Sequence, residues 1–168
     1  MYFNTYVSES VGSLSVTTTW YYLSMERKGV FAEGEFYHVY SRGVEKRAIF
    51  VTEDDYRRFI RLLYIANSTR RFVYRDVEDR KLNDIHRGEP IVAIGAWVLM
   101  PNHFHLLIKE VTEGGISLYM QKMLTGYSAY FNKRNQRVGA LFQGVFQSRH
   151  VESDEYLKYL FAYIHLNP

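Results

Sequence analysis

The stretch VLMPNHFHLLI, residues 98–108, decides how this chain is read. Pro101-Asn102 is a turn signal between two runs of β-forming residues, IVAIGAWVL (91–99) and HFHLLIKE (103–110). The pattern predicts an antiparallel hairpin. Side chains alternate faces along a strand. Phe104, Leu106 and Ile108 therefore point one way, into a helix-covered core, and His103 and His105 point the other way. A lone histidine here would be structural or exposed. Two on one face of a strand raise the case for a metal site, because neutral imidazole is the commonest metal ligand. A metal needs a further ligand. The sequence holds no H-E-x-x-H helix, and Glu110 lies too far along the strand.

On either side of the hairpin the chain alternates strand and helix signals. EFYHVYSR (35–42) alternates and is rich in β-formers, and Gly43 marks a loop after it. Thr52 before Glu53, Asp54 and Asp55 is a helix start, a hydroxyl cap with acids in the first turn. Tyr56, Phe59, Ile60 and Leu63 keep helical spacing to about residue 67. Residues 68–89 are polar and read as an insertion with a short ribbon at 71–77. After Gly114-Gly115, the spacing of Ile116, Met120, Met123, Tyr127 and Tyr130 predicts a second helix to about 134. LFQGVFQSRHV (141–151) reads as a strand, and Ser153-Asp154-Glu155 opens a last helix running to Asn167. The order β-α-β-β-α-β plus a final helix predicts an α+β fold, the ferredoxin-like split βαβ arrangement. Two helices cover one face of its antiparallel sheet and leave the other for a ligand or the last helix.

That last helix offers the missing ligand. In YIHLNP, Tyr163 and Asn167 stand at i and i+4 on one helical face. If this face lies on the open side of the sheet, the Asn167 carbonyl oxygen completes a site of two imidazoles and one amide oxygen. Nitrogen and oxygen ligands without sulfur, with positions left for phosphate oxygens, suit Mg²⁺ or Mn²⁺. Tyr163 would stand one turn from the metal, where a nucleophile belongs. The alternative is plain packing: Tyr156, Tyr159 and Tyr163 form a stripe, and Asn167 is a helix-end residue before Pro168. His165 should face away.

Composition narrows the function classes. The chain has 168 residues, enough for one domain with a proper core. It has no cysteine, so thiolate catalysis, disulfides and cysteine metal sites are excluded. That fits a reducing, cytoplasmic setting. No apolar run approaches the roughly 20 residues of a membrane span, so no membrane partner is expected. The net charge is only +3, yet residues 121–150 carry Lys122, Lys133, Arg134, Arg137 and Arg149 and no acid. Such a block is a solvated face or a phosphate-binding surface. Residues 1–24 differ from the rest, with nine Ser or Thr and Glu9 as their one charge. Residues 1–28 read as an extension, disordered or not native, and 29–168 as the domain.

Three segments together, MPNHFHLLI, YFNKRNQRVGALFQG and SDEYLKYLFAYIHLNP, resemble the REP-associated and insertion-sequence-200-like single-tyrosine transposases. These are HUH endonucleases, named for two histidines around a hydrophobic residue. GEFYHVYSRG resembles their first strand and loop, so the resemblance spans roughly residues 33–168. It implies a ferredoxin-like fold and a metal-dependent enzyme that cleaves and rejoins single-stranded DNA near hairpins through a 5′-phosphotyrosine. It assigns His103, His105 and Asn167 to the Mg²⁺ or Mn²⁺ ion and Tyr163 to the nucleophile. The implied partner is hairpin-bearing single-stranded DNA, REP-like or at an element end, in a nucleoid-associated setting, with room for a homodimer. Arg42, Lys133, Arg134 and Arg149 are the DNA contacts favoured here. The sequence departs from the family at Val145, where a basic residue is usual, and it stops at Pro168, where relatives continue, as a C-terminal truncation would. The alternative function is a non-catalytic or domesticated hairpin-binding module on the same fold.

Overall fold

The structure, a computed structural model, describes residues 31–166. The predicted extension at 1–28 and Asn167 lie outside the described residues. Seven elements carry the fold: β1 (Phe36–Arg42), α1 (Glu53–Ile65), β2 (Val92–Met100), β3 (His103–Glu110), α2 (Gly115–Arg134), β4 (Gln147–His150) and α3 (Asp154–Leu166). The sheet order is β2-β3-β1-β4 with every pair antiparallel, the split βαβ topology expected from the element order. No helix among the described residues is long and apolar enough to cross a membrane.

Alternation along β3 builds two cores. Phe104, Leu106 and Ile108 are fully buried beneath α1 and α2, among Phe59, Leu62, Ile116, Met120, Met123 and Tyr127. On the other face α3 packs Leu160 and Ile164 against Ala96, Val98 and Leu107. The face opposite the first two helices is therefore covered by the last one, and the sheet is the middle layer of three.

Local chemistry fixes where each helix begins. Asp55 Oδ2 accepts hydrogen bonds from the Val51 and Thr52 backbone N–H groups at 2.9 and 2.8 Å, which anchors the first turn of α1. At the start of α2 that role falls to Glu110, the last residue of β3. Its buried carboxylate accepts from Gly115 N at 3.1 Å and Ile116 N at 2.7 Å. The negative charge also faces the positive end of the helix. A Cβ on Gly115 would lie 2.3 Å from the Ile91 carbonyl oxygen, so only glycine lets α2 start so close to β2.

Two expectations fail. Residues 71–77 form no ribbon; the 68–90 segment contains only short 3₁₀ turns at Tyr74–Asp76 and Leu82–Asp84. Its carbonyls and those flanking it are met by cations instead of a partner strand: Arg61 Nη2 donates to Val77 O and Arg80 O at 2.7 and 2.9 Å, and Lys122 Nζ to Arg70 O at 2.7 Å. The last strand is only Gln147–His150, not 141–151. Phe142 and Phe146 turn into the first core, and the chain passes through left-handed Gly144 between them, which breaks strand geometry.

The outer edge of β2 is also shaped. The Asn67 side chain accepts from Ile91 N and Val92 N and donates to Val92 O, at 2.9, 3.0 and 2.8 Å. A bulge interrupts the register between Ile94 and Ala96.

Removing the Glu110 carboxylate leaves the buried Ile116 N–H without an acceptor and leaves the Gly115 N–H only the Thr112 carbonyl, at 2.8 Å. Glu110→Leu should cost about 2–4 kcal/mol in urea unfolding, from the loss of two charge-assisted bonds, whereas Glu113→Leu at an exposed neighbouring position should cost under about 0.5 kcal/mol.

Candidate active site

The pairing register assembles one polar patch on the α3 side of the sheet. In β3, His103 stands opposite Arg42 and Met100, and His105 opposite Tyr40 and Val98. In β4, Arg149 stands opposite His38 and Gln147 opposite Tyr40. Directly paired residues point to the same face. His38, Tyr40, Arg42, His103, His105 and Arg149 therefore share it. Their alternates Tyr37, Val39, Ser41 and Phe104 are buried on the other side.

His105 is the hub. Its ring centroid lies 5.0 Å from His38, 5.5 Å from Tyr40 and 5.1 Å from His103. From α3 the half-buried Tyr163 ring approaches at 5.5 Å, nearly perpendicular. The helix carries Tyr163 here because Leu160 and Ile164 anchor it to the sheet. His165 is exposed on the outer side, bonded to the Phe161 carbonyl, as the helical spacing predicts. Tyr156, Tyr159 and Tyr163 stack along α3 with centroids 6.4 and 6.3 Å apart. The Arg149 guanidinium sits 4.6 Å over Tyr156. The stripe is thus both packing and the support on which Tyr163 rests.

The two histidines of β3 each have a partner at Nδ1. His103 Nδ1 lies 2.6 Å from Asn102 Oδ1, and an amide oxygen only accepts, so Nδ1 carries the proton and Nε2 keeps its lone pair. Asn102 is held in turn by its amide donating to Lys46 O at 3.2 Å. His105 Nδ1 lies 2.8 Å from His38 Nε2. Burial lowers the His38 pKa to about 4, with Arg149 adding to it. Burial, then His38 and His103, lower that of His105 to about 3. His103 is lowered by burial and by Arg42. All three rings are neutral at pH 7, the state in which imidazole binds a metal. No cluster of three His, Cys, Asp or Glu side chains suited to a metal occurs among the described residues, so two imidazoles need an oxygen from elsewhere.

The four basic residues singled out in the sequence divide between two layers. Arg42 and Arg149 lie in the histidine face, Arg42 held by Gln143 at 2.6 Å. Lys133 and Arg134 belong to α2, on the opposite side of the sheet. Arg134 bonds Asp54 at 3.2 Å and Tyr130 Oη at 2.6 Å, tying α2 to α1. Sequence reading missed His38. The signal was present: in FYHVYSR the polar and aromatic residues His38, Tyr40 and Arg42 alternate with residues that are buried.

The depressed histidines carry a pH dependence whose sign is fixed. An unfolded imidazole titrates near 6.5, so below that pH the unfolded chain takes up protons that the folded one refuses. Stability is full above about pH 6.5 and falls toward pH 4. In chelator, wild type should lose about 3–4 kcal/mol between pH 7 and 5, about 2 from each of His38 and His105; His38→Gln should lose about half as much, as read by urea midpoints.

The chain matches the model of the family described as "Transposase IS200 like" over residues 56–167. No curated protein is significantly similar to it in sequence. Among solved structures it is similar to a REP-associated tyrosine transposase bound to a REP hairpin, with TM-score 0.55 and 16% identity over 86% of this chain and 72% of that one. It is also similar to a transposase-like protein of Deinococcus radiodurans R1, with TM-score 0.47 and 14% identity over 84% and 97% of the two chains. The matched span holds His103, His105, Tyr163 and the helices that position them, and the chain belongs to the IS200-like transposase family.

Proposed function

We propose that this transposase cleaves and rejoins single-stranded DNA beside a hairpin, with Tyr163 as nucleophile and Mg²⁺ or Mn²⁺ held by His103, His105 and Asn167. The observation that carries the reading is the approach of Tyr163 to His105, 5.5 Å between ring centroids, across a face of neutral imidazoles. The donor set fits such an ion. Asn102 leaves His103 Nε2 unprotonated, and when His105 donates its Nδ1–H to His38, its Nε2 is free as well. Asn167, four residues after Tyr163 in the sequence, is the proposed source of the oxygen.

In cleavage the Tyr163 phenol loses its proton and its Oη attacks the scissile phosphorus. The bond from phosphorus to the 3′ oxygen breaks, and the product is a 5′-phosphotyrosine and a free 3′-OH. In rejoining a 3′-OH attacks the same phosphorus and returns the phenol, so ligation needs no nucleotide cofactor. A phenol titrates near 10 and is a weak nucleophile at pH 7. A divalent ion held by His103, His105 and Asn167 would offset charge on the phosphate and stabilise the leaving oxygen. The chain supplies position: the stacked tyrosines hold the ring of Tyr163, and the sheet holds the imidazoles, so attacker and phosphate meet in line. Arg42 and Arg149 flank this face and bind the phosphates on either side of the scissile bond. The hairpin is proposed as partner because the similar REP-associated transposase is bound to one.

End-labelled hairpin strands, incubated with Mn²⁺ or with chelator, test the chemistry. Wild type should form a covalent adduct only with metal, and Tyr163→Phe none. An adduct on Tyr163→Phe overturns the nucleophile, and hairpin binding without any cleavage would favour the non-catalytic binding module. His38→Ala should weaken Mn²⁺ binding about 10–100-fold by calorimetry, the usual effect of losing the group that orients a ligand.

A further inference from the structure

On the far side of the sheet, α1, α2 and the 68–90 segment enclose an open cavity of about 600 Å³. Arg58, Arg71, Lys122 and Lys133 line it, with no acidic residue among the lining. Phe72, Tyr74 and Tyr130 supply its rings. Lys122 is committed to the carbonyls of Ser68 and Arg70, which pins the 68–71 backbone against α2. The side chains of the other three cations make no ion pair among the described residues, whereas neighbouring Arg57 and Arg134 pair with Glu53 and Asp54. Arg58 is held in place: its guanidinium lies 3.1 Å from the Tyr74 ring centroid and 4.7 Å from that of Tyr130. A guanidinium clamped on rings, with two exposed cations free of ion pairs beside it, is complementary to phosphate.

We propose that this cavity is a second DNA site that takes a single-stranded segment flanking the hairpin, one base against the rings and the adjoining phosphates on Arg58, Arg71 and Lys133. Aromatic platforms beside cations are how single strands are bound without reading sequence. The sheet and the helical layer separate this cavity from Tyr163, so it contributes affinity and leaves the chemistry alone. The inference rests on the DNA-cleaving function proposed above. It also gives Lys133, which lies away from the histidine face, a place in DNA binding.

The test compares hairpins with and without a long single-stranded flank by fluorescence anisotropy. The variant Arg71→Glu/Lys133→Glu changes two exposed side chains and should fold. It should bind the flanked hairpin at least about tenfold more weakly than wild type and lower the salt slope by about two, one per phosphate contact. Binding of the bare hairpin, and adduct yield on it at saturating DNA, should stay unchanged. Arg75→Glu/Lys81→Glu carries the same charge change outside the cavity and should bind the flanked hairpin like wild type. Equal weakening by both variants, or no weakening by the first, overturns the second site while adduct formation by wild type still upholds the cleavage reading. If wild type binds neither hairpin nor single strand, both proposals fall.

Discussion

The pleat of one central strand governs the rest of this molecule. β3 is flanked by β2 and β1, so its register cannot slip by one residue without exchanging Phe104, Leu106 and Ile108 for His103, His105 and Leu107. A slip would place imidazoles under α1 and α2 and expose phenyl and aliphatic groups beneath α3. Both errors cost free energy, one through polar burial and the other through lost apolar burial. The folding of the helical core therefore also orients the polar face. The core residues between the histidines thus set which face they share, and the partners at Nδ1 set how the rings are turned on it.

The polar face is finished by neighbours that act on protons more than on position. Burial keeps the rings neutral, and the partners at Nδ1 decide which nitrogen presents a lone pair. Losing such a partner changes the face itself, because a rotated or re-tautomerised imidazole presents a different nitrogen. Arg149 shows how closely the groups are shared: it sits over Tyr156 in α3, lies opposite His38 in the sheet and helps hold that histidine neutral.

Much of this was legible in the sequence, for physical reasons that differ by element. The hairpin and the two core helices follow from periodicity, which burial enforces along the whole element. The same holds for the shared face of His103 and His105 and for the outward turn of His165. The partnership of His105 with His38 was not legible, because it depends on β1 pairing with β3 across 67 residues of sequence. Nor was the irregular course of 68–90, whose carbonyls are satisfied by arginine and lysine side chains from elsewhere in the chain. The strand forecast at 141–151 shortened for a third reason: Phe142 still bridges to Gly43 beyond the end of β1, but left-handed Gly144 turns the chain away, and regular pairing resumes only at Gln147. Charge was the least informative signal. The acid-free block at 121–150 is contiguous in sequence and divided in space, with Arg149 on one side of the sheet and Lys133 on the other.

The shaped edge of β2 bears on how the protein behaves when crowded. β2 is the longest strand and stands at the end of the sheet. A flat edge of that length is a template for another chain. Here the Asn67 amide occupies both backbone groups of Val92 as a neighbouring strand would, and the bulge at Gly95 puts the rest out of step. Copies of the chain are thereby hindered from zipping together through this edge. A single asparagine and one extra residue do the work that a fifth strand would otherwise do in closing the sheet.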